Sequence, residues 1–218
     1  MAKPPASANF DRLARGYPAL ERLAFGRDLE RARFRHLDRL RDCRDILLLG
    51  DGDGRCLARL VGIAPEARIH SVDSSPAMLA RAAARIGPAD ARSRVRFEAA
   101  DARSVRLPAD RYDAVVTFFF LDCFRPEEVA ELVPRVAASL RPAARWLYAD
   151  FALPPAGWAR WRARLWLAVL YAFFRWQTKI TARRLPPSED IIERTGFRRE
   201  ALCEFQGGLV RSVLFKRK

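Results

Sequence analysis

The stretch Ile46-Leu47-Leu48-Leu49-Gly50-Asp51-Gly52-Asp53-Gly54-Arg55 decides the fold. Four consecutive apolar residues run straight into glycine, the pattern of a short strand buried on both faces. Strands of that kind belong to parallel sheets, where crossover helices cover both sides. Gly50, Gly52 and Gly54 alternate with acids in the turn that follows, and Arg55 to Ile63 reads as the next helix. In open α/β sheets, ligands lie at the carboxyl ends of the strands, beside the first βα turn. Glycine at that point lets the backbone approach a ligand closely.

Outward from this turn, strands and helices alternate. Arg68 to Val72 is a predicted strand that ends at Asp73. Ser74 and Ser75 precede Pro76, a helix start that runs to about Ile86 and stops at Gly87-Pro88. Val95 to Ala99 is a third predicted strand, ending near Asp101, and Tyr112 to Phe119 is a fourth. Pro126 to Leu140 is a predicted helix, with Glu127 and Glu128 in the first turn where the helix dipole favours them. Ala144 to Phe151 is a fifth strand. Such alternation gives βαβ units and a parallel sheet. Phe197 to Phe205 and Leu209 to Phe215, joined by Gln206-Gly207-Gly208, read as a β-hairpin, so the sheet should finish with an antiparallel strand. Two helical patterns precede all of this, one with Phe10, Leu13, Tyr17, Leu20 and Leu23, the other from Arg27 to Arg41. The expected organisation is one domain over 1–218. Cap helices fill 1–44, a ligand-binding core 45–151, a helical insertion 152–187, and a final helix with the hairpin 188–218.

A chain of 218 residues that is 50% hydrophobic can bury one sizeable core. Cys43, Cys56, Cys123 and Cys203 are far apart and form no C-x-x-C pair, so neither a disulfide framework nor a metal site is expected. Met1 to Asn9 carries no apolar signal region, and Leu165 to Phe174, the longest apolar run, falls well short of the roughly 20 residues that span a bilayer. The expected location is cytoplasmic, with peripheral membrane contact as an open reading. The formal charge is +14, and only four of the 40 basic residues are lysine. A basic surface attracts nucleic acid or anionic lipid, but arginines scattered along a whole chain also reflect composition alone.

The chemistry of the turn narrows the ligand. A dinucleotide fingerprint would place a third glycine where Arg55 stands. Asp51 and Asp53 would repel a pyrophosphate at the helix start and suit a ligand that carries cationic groups. Asp73, 23 residues after Gly50, is placed to accept hydrogen bonds from both ribose hydroxyls. The alternative is a helix N-cap, a role that Ser74 or Ser75 can fill instead. Asp101 and the Ala102 N–H suit an adenine amino group and ring nitrogen, or a simple turn. Thr117 to Asp122 ends the fourth strand; Phe118 and Phe119 there would line the ligand pocket. Asp122 is a candidate general base or a solvated helix-start residue. Tyr17 is either a residue closing over the site or a core aromatic, while His36 and His70 read as structural.

Taken together, these motifs resemble the class I S-adenosylmethionine-dependent methyltransferases. The resemblance is carried by Leu48-Leu49-Gly50-Asp51-Gly52-Asp53-Gly54, Ser71-Val72-Asp73-Ser74-Ser75-Pro76-Ala77-Met78-Leu79 and Glu98-Ala99-Ala100-Asp101-Ala102. It continues through Tyr112-Asp113-Ala114-Val115-Val116-Thr117 and Leu140-Arg141-Pro142, and it covers Asp45 to Lys218. It implies a Rossmann-like, doubly wound seven-stranded sheet of order 3-2-1-4-5-7-6 with strand 7 antiparallel. It also implies S-adenosylmethionine as methyl donor and S-adenosylhomocysteine as product, held by Gly50 to Gly54, Asp73, Ser74, Asp101, Ala102, Phe118 and Phe119. Two positions depart from the family pattern. Leu48 stands where the family commonly has an acid, and Pro142-Ala143-Ala144 replaces the usual Pro-Gly-Gly. Thr117-Phe118-Phe119-Phe120 stands where amino-methylating relatives carry N-P-P-[YF], so a small or lipid-like acceptor, such as a quinone-like molecule, is expected rather than RNA.

Trp158 to Thr181 interleaves aromatic residues with arginine. It admits three readings: a helix lining an apolar acceptor pocket, an interfacial helix touching a membrane, or a packing helix. Two other functions stay open, a nicotinamide-dependent oxidoreductase and a non-catalytic basic module that binds RNA or membrane.

Overall fold

In the computed structural model, β1 (Asp45–Leu49) is buried along its whole length. It pairs in parallel with β2 (Arg68–Asp73) on one side and β4 (Tyr112–Phe118) on the other. β3 (Val95–Ala99) lies outside β2, and β5 (Leu140–Phe151) outside β4, both parallel. The hairpin of β6 (Phe197–Phe205) and β7 (Val210–Arg217) adds two strands through an antiparallel β5–β7 pairing. The resulting order, β3-β2-β1-β4-β5-β7-β6, is the one expected. The chain turns one way from β1 to β2 and the other way to β4, which opens a crevice at the carboxyl ends of β1 and β4. The structure describes residues 27–218 except 88, 155, 159, 163 and 167–183. The first helical pattern, with Tyr17, lies outside the described residues, as does most of Trp158 to Thr181.

Alternate residues of β1 face opposite sides of the sheet. Ile46 and Leu48 join one core with Leu29, Leu57 and Leu60, from α1 (Asp28–Phe34) and α2 (Arg55–Ile63). Leu47 and Leu49 join a second core with Val129, Leu132 and Val133. α3 (Pro76–Arg85) and the short α4 (Ala89–Ser93) link β2 to β3, α5 (Pro126–Ala138) links β4 to β5, and α6 (Ser188–Arg194) precedes the hairpin. Both faces of the sheet are therefore covered, as the apolar run Ile46 to Leu49 demands.

Three of the boundaries that differ from expectation have a visible cause. The helix expected from Arg27 to Arg41 ends at Phe34, and a 3-10 turn follows at Leu37–Leu40. A 3-10 turn aligns residues three apart, and Leu37 and Leu40 both enter the core. β4 stops one residue early because Phe119 takes a left-handed φ of 51°. Leu140 opens β5 rather than closing α5: it pairs with Tyr112, and the register shifts between Tyr112 and Ala114. Arg141-Pro142-Ala143 is thus an irregularity inside the strand, with Ala143 at φ 60°.

Candidate functional site

The glycine turn has two packed positions and one open one. All three glycines are left-handed, with φ of 67°, 61° and 83° at Gly50, Gly52 and Gly54. A Cβ on Gly50 would sit 2.2 Å from the Phe120 ring, and one on Gly54 would sit 2.4 Å from the Ala82 backbone. A Cβ on Gly52 would meet nothing within 4 Å. The outer glycines therefore serve packing, and the middle one presents bare backbone to open space.

Asp51 and Asp53 have different surroundings. The Asp51 carboxylate accepts from the backbone N–H groups of Cys56 (3.1 Å) and Leu57 (2.8 Å) and so caps the start of α2. Its enclosure raises its pKa to about 7, against the pull of those two N–H groups and of Arg33. Asp53 points to the rim, where Arg85 (2.8 Å) and Arg55 (3.3 Å) pair with it.

Asp73 sits at the end of β2 with one oxygen on the Gly52 N–H (3.2 Å) and the other on the Ser75 N–H (2.9 Å). Each oxygen retains a lone pair for a further donor. Burial raises its pKa. Ser75, not Asp73, caps α3: its hydroxyl accepts from the Met78 N–H at 3.2 Å, while Ser74 is exposed. Beyond β3, the Asp101 carboxylate is gripped by Arg103 at 2.6 Å, and this bond holds its pKa below the usual range. Arg103 reaches on to Glu128 at 2.6 Å. Ala102 is buried, and its N–H donates to no acceptor among the described residues.

The end of β4 forms the other wall. Phe118 is buried. The Phe119 ring packs 5.3 Å from that of Phe151, with the Arg33 guanidinium 4.8 Å above it. Phe120 closes on Gly50 and meets Phe124 edge-on at 5.0 Å. Asp122 is buried beside Asp150 of β5, whose carboxylate accepts from the backbone N–H groups of Asp122 (3.1 Å) and Phe151 (2.9 Å). Burial raises both carboxyls, Asp122 to about 6 and Asp150 well above the usual carboxylate range, since two enclosed carboxylates cannot both ionise cheaply. The Cys123 thiol donates to Asp122 at 3.5 Å, and burial pushes its pKa up as well.

The turn thus brings Gly50, Asp51, Gly52, Gly54 and Asp73 together, while Asp53 is drawn aside by arginines. Sequence reasoning passed over Phe120, Asp150 and Arg33. Asp150 had a readable signal, an acid inside the apolar run Trp146 to Phe151. Arg33 had none, because only the docking of α1 brings it to the turn. His70 is structural: it bonds Tyr112 (2.7 Å) and Glu98 (2.9 Å) within the sheet. No group of side chains with metal-ligand character occurs among the described residues.

Residues 46–143, which contain every one of these turn and strand-end positions except Arg33, Asp150 and Phe151, match the family model of a methyltransferase domain. That stretch is similar to a methyltransferase domain. A trans-aconitate 2-methyltransferase of Streptomyces avermitilis is 44% identical over 77 residues, 35% of this chain and 28% of that protein. The chain therefore spans little more than a quarter of that relative's length. Among solved structures, the mitomycin 7-O-methyltransferase MmcR superposes with a TM-score of 0.66 at 18% identity, over 96% of this chain and 60% of MmcR. The 1,6-didemethyltoxoflavin-N1-methyltransferase of Burkholderia thailandensis, solved with didemethyltoxoflavin and S-adenosylhomocysteine, gives a TM-score of 0.61 at 20% identity, over 100% of this chain and 93% of that one. At these identities, the chain shares its fold with both structures.

Proposed function

We propose that the chain is an S-adenosylmethionine-dependent methyltransferase that acts on a small or lipid-like organic acceptor. The observation that carries this reading is the glycine turn, open at Gly52 and tied by the Gly52 N–H to Asp73 at 3.2 Å. Such a turn leaves bare backbone for a nucleoside-linked amino acid, and a carboxylate within reach of its ribose.

The residues fit the donor along its length. Asp73 has lone pairs left for two ribose hydroxyls, with Ser74 beside it. The unpaired Ala102 N–H suits an adenine ring nitrogen, and Arg103 holds Asp101 next to it. Phe118 and Phe119 wall the pocket on the β4 side. Asp51 lends negative charge at the amino-acid end from its seat on α2, whereas Asp53 braces the turn through Arg55 and Arg85. When bound, S-adenosylmethionine supplies a methyl group already activated by its sulfonium. What remains for the protein is alignment, and correct positioning alone supplies a large part of such a rate. Asp122, held by Asp150, is the group we assign to take up a proton from the acceptor.

The acceptor class draws support from the relatives, whose names specify mitomycin at oxygen and didemethyltoxoflavin at nitrogen. The phenylalanines at the end of β4 suit a flat apolar molecule of that kind. A nicotinamide-dependent reading loses support at α2, where Asp51 already occupies the N–H groups a pyrophosphate would need.

Calorimetric titration with S-adenosylhomocysteine tests the proposal. Binding in the micromolar range is expected, with none for NADH. No heat with S-adenosylhomocysteine at millimolar concentration would refute the reading.

A further inference from the structure

We infer that the helical face bearing Trp158, Trp161 and Leu165 docks on an anionic lipid surface. Residues 157, 158, 160–162 and 164–166 are helical. Within that segment, Trp158, Trp161 and Leu165 recur at i, i+3 and i+7, so they share one face. They are 81%, 71% and 63% exposed, more than any other large apolar residue described. Large apolar side chains gathered on one exposed face mark an interaction surface.

Two arginines anchor the segment. Arg160 reaches the Pro154 carbonyl at 3.5 Å, and Arg162 reaches the Gln206 carbonyl in the β6–β7 turn at 3.1 Å. These contacts tie the segment to the body of the protein, at Arg160 on the far side and at Arg162 on the flank, and leave the two indoles exposed. Of the three readings of Trp158 to Thr181, internal packing fails for these three side chains.

Charge selects the occupant. From Phe151 to Ser188 the sequence holds no Asp or Glu, while its cations include Arg160, Arg162, Arg164, Arg175 and Lys179. Indole and leucine on one side with arginine on the others is the composition of a helix lying in the headgroup region. Tryptophan favours that boundary because its ring is amphipathic. A negative leaflet attracts the cations, and a chain of formal charge +14 is drawn to it as a whole. The segment follows β5, so the face lies at the sheet edge that carries the glycine turn. No helix among the described residues is long and apolar enough to cross a membrane. Contact is thus along the surface. This inference is independent of the methyl-transfer reading, and its test needs no methyl donor.

The test is flotation of the full chain with vesicles of phosphatidylcholine alone or with 30% phosphatidylglycerol (a composition of about that order suffices for anionic attraction). Indole emission is recorded in parallel. Wild type should float with the anionic vesicles only, shift its emission to the blue, and detach as salt is raised. The triple variant Trp158→Ser, Trp161→Ser, Leu165→Ser should bind the anionic vesicles at least tenfold more weakly (an order-of-magnitude expectation). Its circular dichroism should be unchanged, since all three side chains are exposed. Failure of wild type to float overturns the inference, as does equal binding to neutral vesicles. Undiminished vesicle binding by the triple variant also overturns it, and assigns the attraction to the protein's general basic charge. So does loss of self-association in the variant with vesicle binding unchanged, which makes the face a contact between copies of the chain.

Discussion

At the scale of single residues, the site depends on carboxylates whose backbone partners differ. Asp73 and Asp51 each accept two N–H groups, but those on Asp73 come from the open turn and those on Asp51 from inside α2. Asp73→Ala should therefore weaken S-adenosylhomocysteine binding at least tenfold, roughly 1.4 kcal/mol or more, while circular dichroism reports an intact fold. Unchanged affinity in calorimetry would remove the ribose role. Asp73 was legible in the sequence because its chemistry follows from its place, an acid at the end of the second strand, after the glycine turn. Asp51 was legible as a charge in the glycine turn but not as a helix cap, since the cap depends on where its side chain turns. Asp150 and Arg33 were not legible, because each reaches the site only through tertiary packing: Asp150 by the β4–β5 pairing, Arg33 by the docking of α1 on the hairpin.

At the scale of elements, the glycine turn separates stability from binding. Gly54→Ala forces a methyl group into the Ala82 backbone at a left-handed φ of 83°. Overpacking and backbone strain together should destabilise the protein by about 2–4 kcal/mol, read as a fall in the urea midpoint. Gly52→Ala meets no neighbour, so only the backbone strain of about 1–2 kcal/mol applies. Its methyl would enter the ligand's space and should weaken cofactor binding by more than its stability loss implies. The β5 irregularity gives a prediction of opposite sign. Ala143 holds φ 60°, a conformation that glycine adopts without a Cβ penalty. Ala143→Gly should raise stability by about 0.5–1 kcal/mol, and a lower urea midpoint would mean that its neighbours require the methyl. The strands were legible because apolar runs ending in glycine or aspartate have few alternatives. Leu140 was misread for a related reason: Leu132, Val133, Val136 and Leu140 continue the helical spacing of α5, and the left-handed Ala143 leaves no mark on that pattern.

At the scale of the whole molecule, a chain of formal charge +14 gathers acids at the one sheet edge where a cationic donor would sit. Asp51, Asp73, Asp122 and Asp150 all have raised pKa values, chiefly through burial, with Asp51 near 7 and Asp122 near 6. Arg33 pulls Asp51 the other way, while Asp53 adds to the rise and Asp150 is coupled to Asp122. In the free protein these carboxyls therefore carry protons at a pH where exposed acids have lost theirs. A sulfonium brought among them favours the ionised forms, so its binding expels protons, and by linkage its affinity rises with pH across the window from about 6 to 7. S-adenosylhomocysteine has the same adenosine and amino-acid parts but no sulfonium charge, so it isolates this term. Lowering the pH from 8 to 5.5 should reduce the affinity for S-adenosylmethionine relative to S-adenosylhomocysteine by about tenfold, a modest fraction of the Coulomb energy of one close pair. Asp51→Asn should flatten the part of this response near pH 7 and leave the part near pH 6, which belongs to Asp122. Calorimetry in buffers of different ionisation enthalpy measures the protons released. A pH-independent ratio of the two affinities would show that the sulfonium lies beyond reach of these carboxyls, and the acids would then serve the turn and the β4–β5 junction rather than the donor's charge.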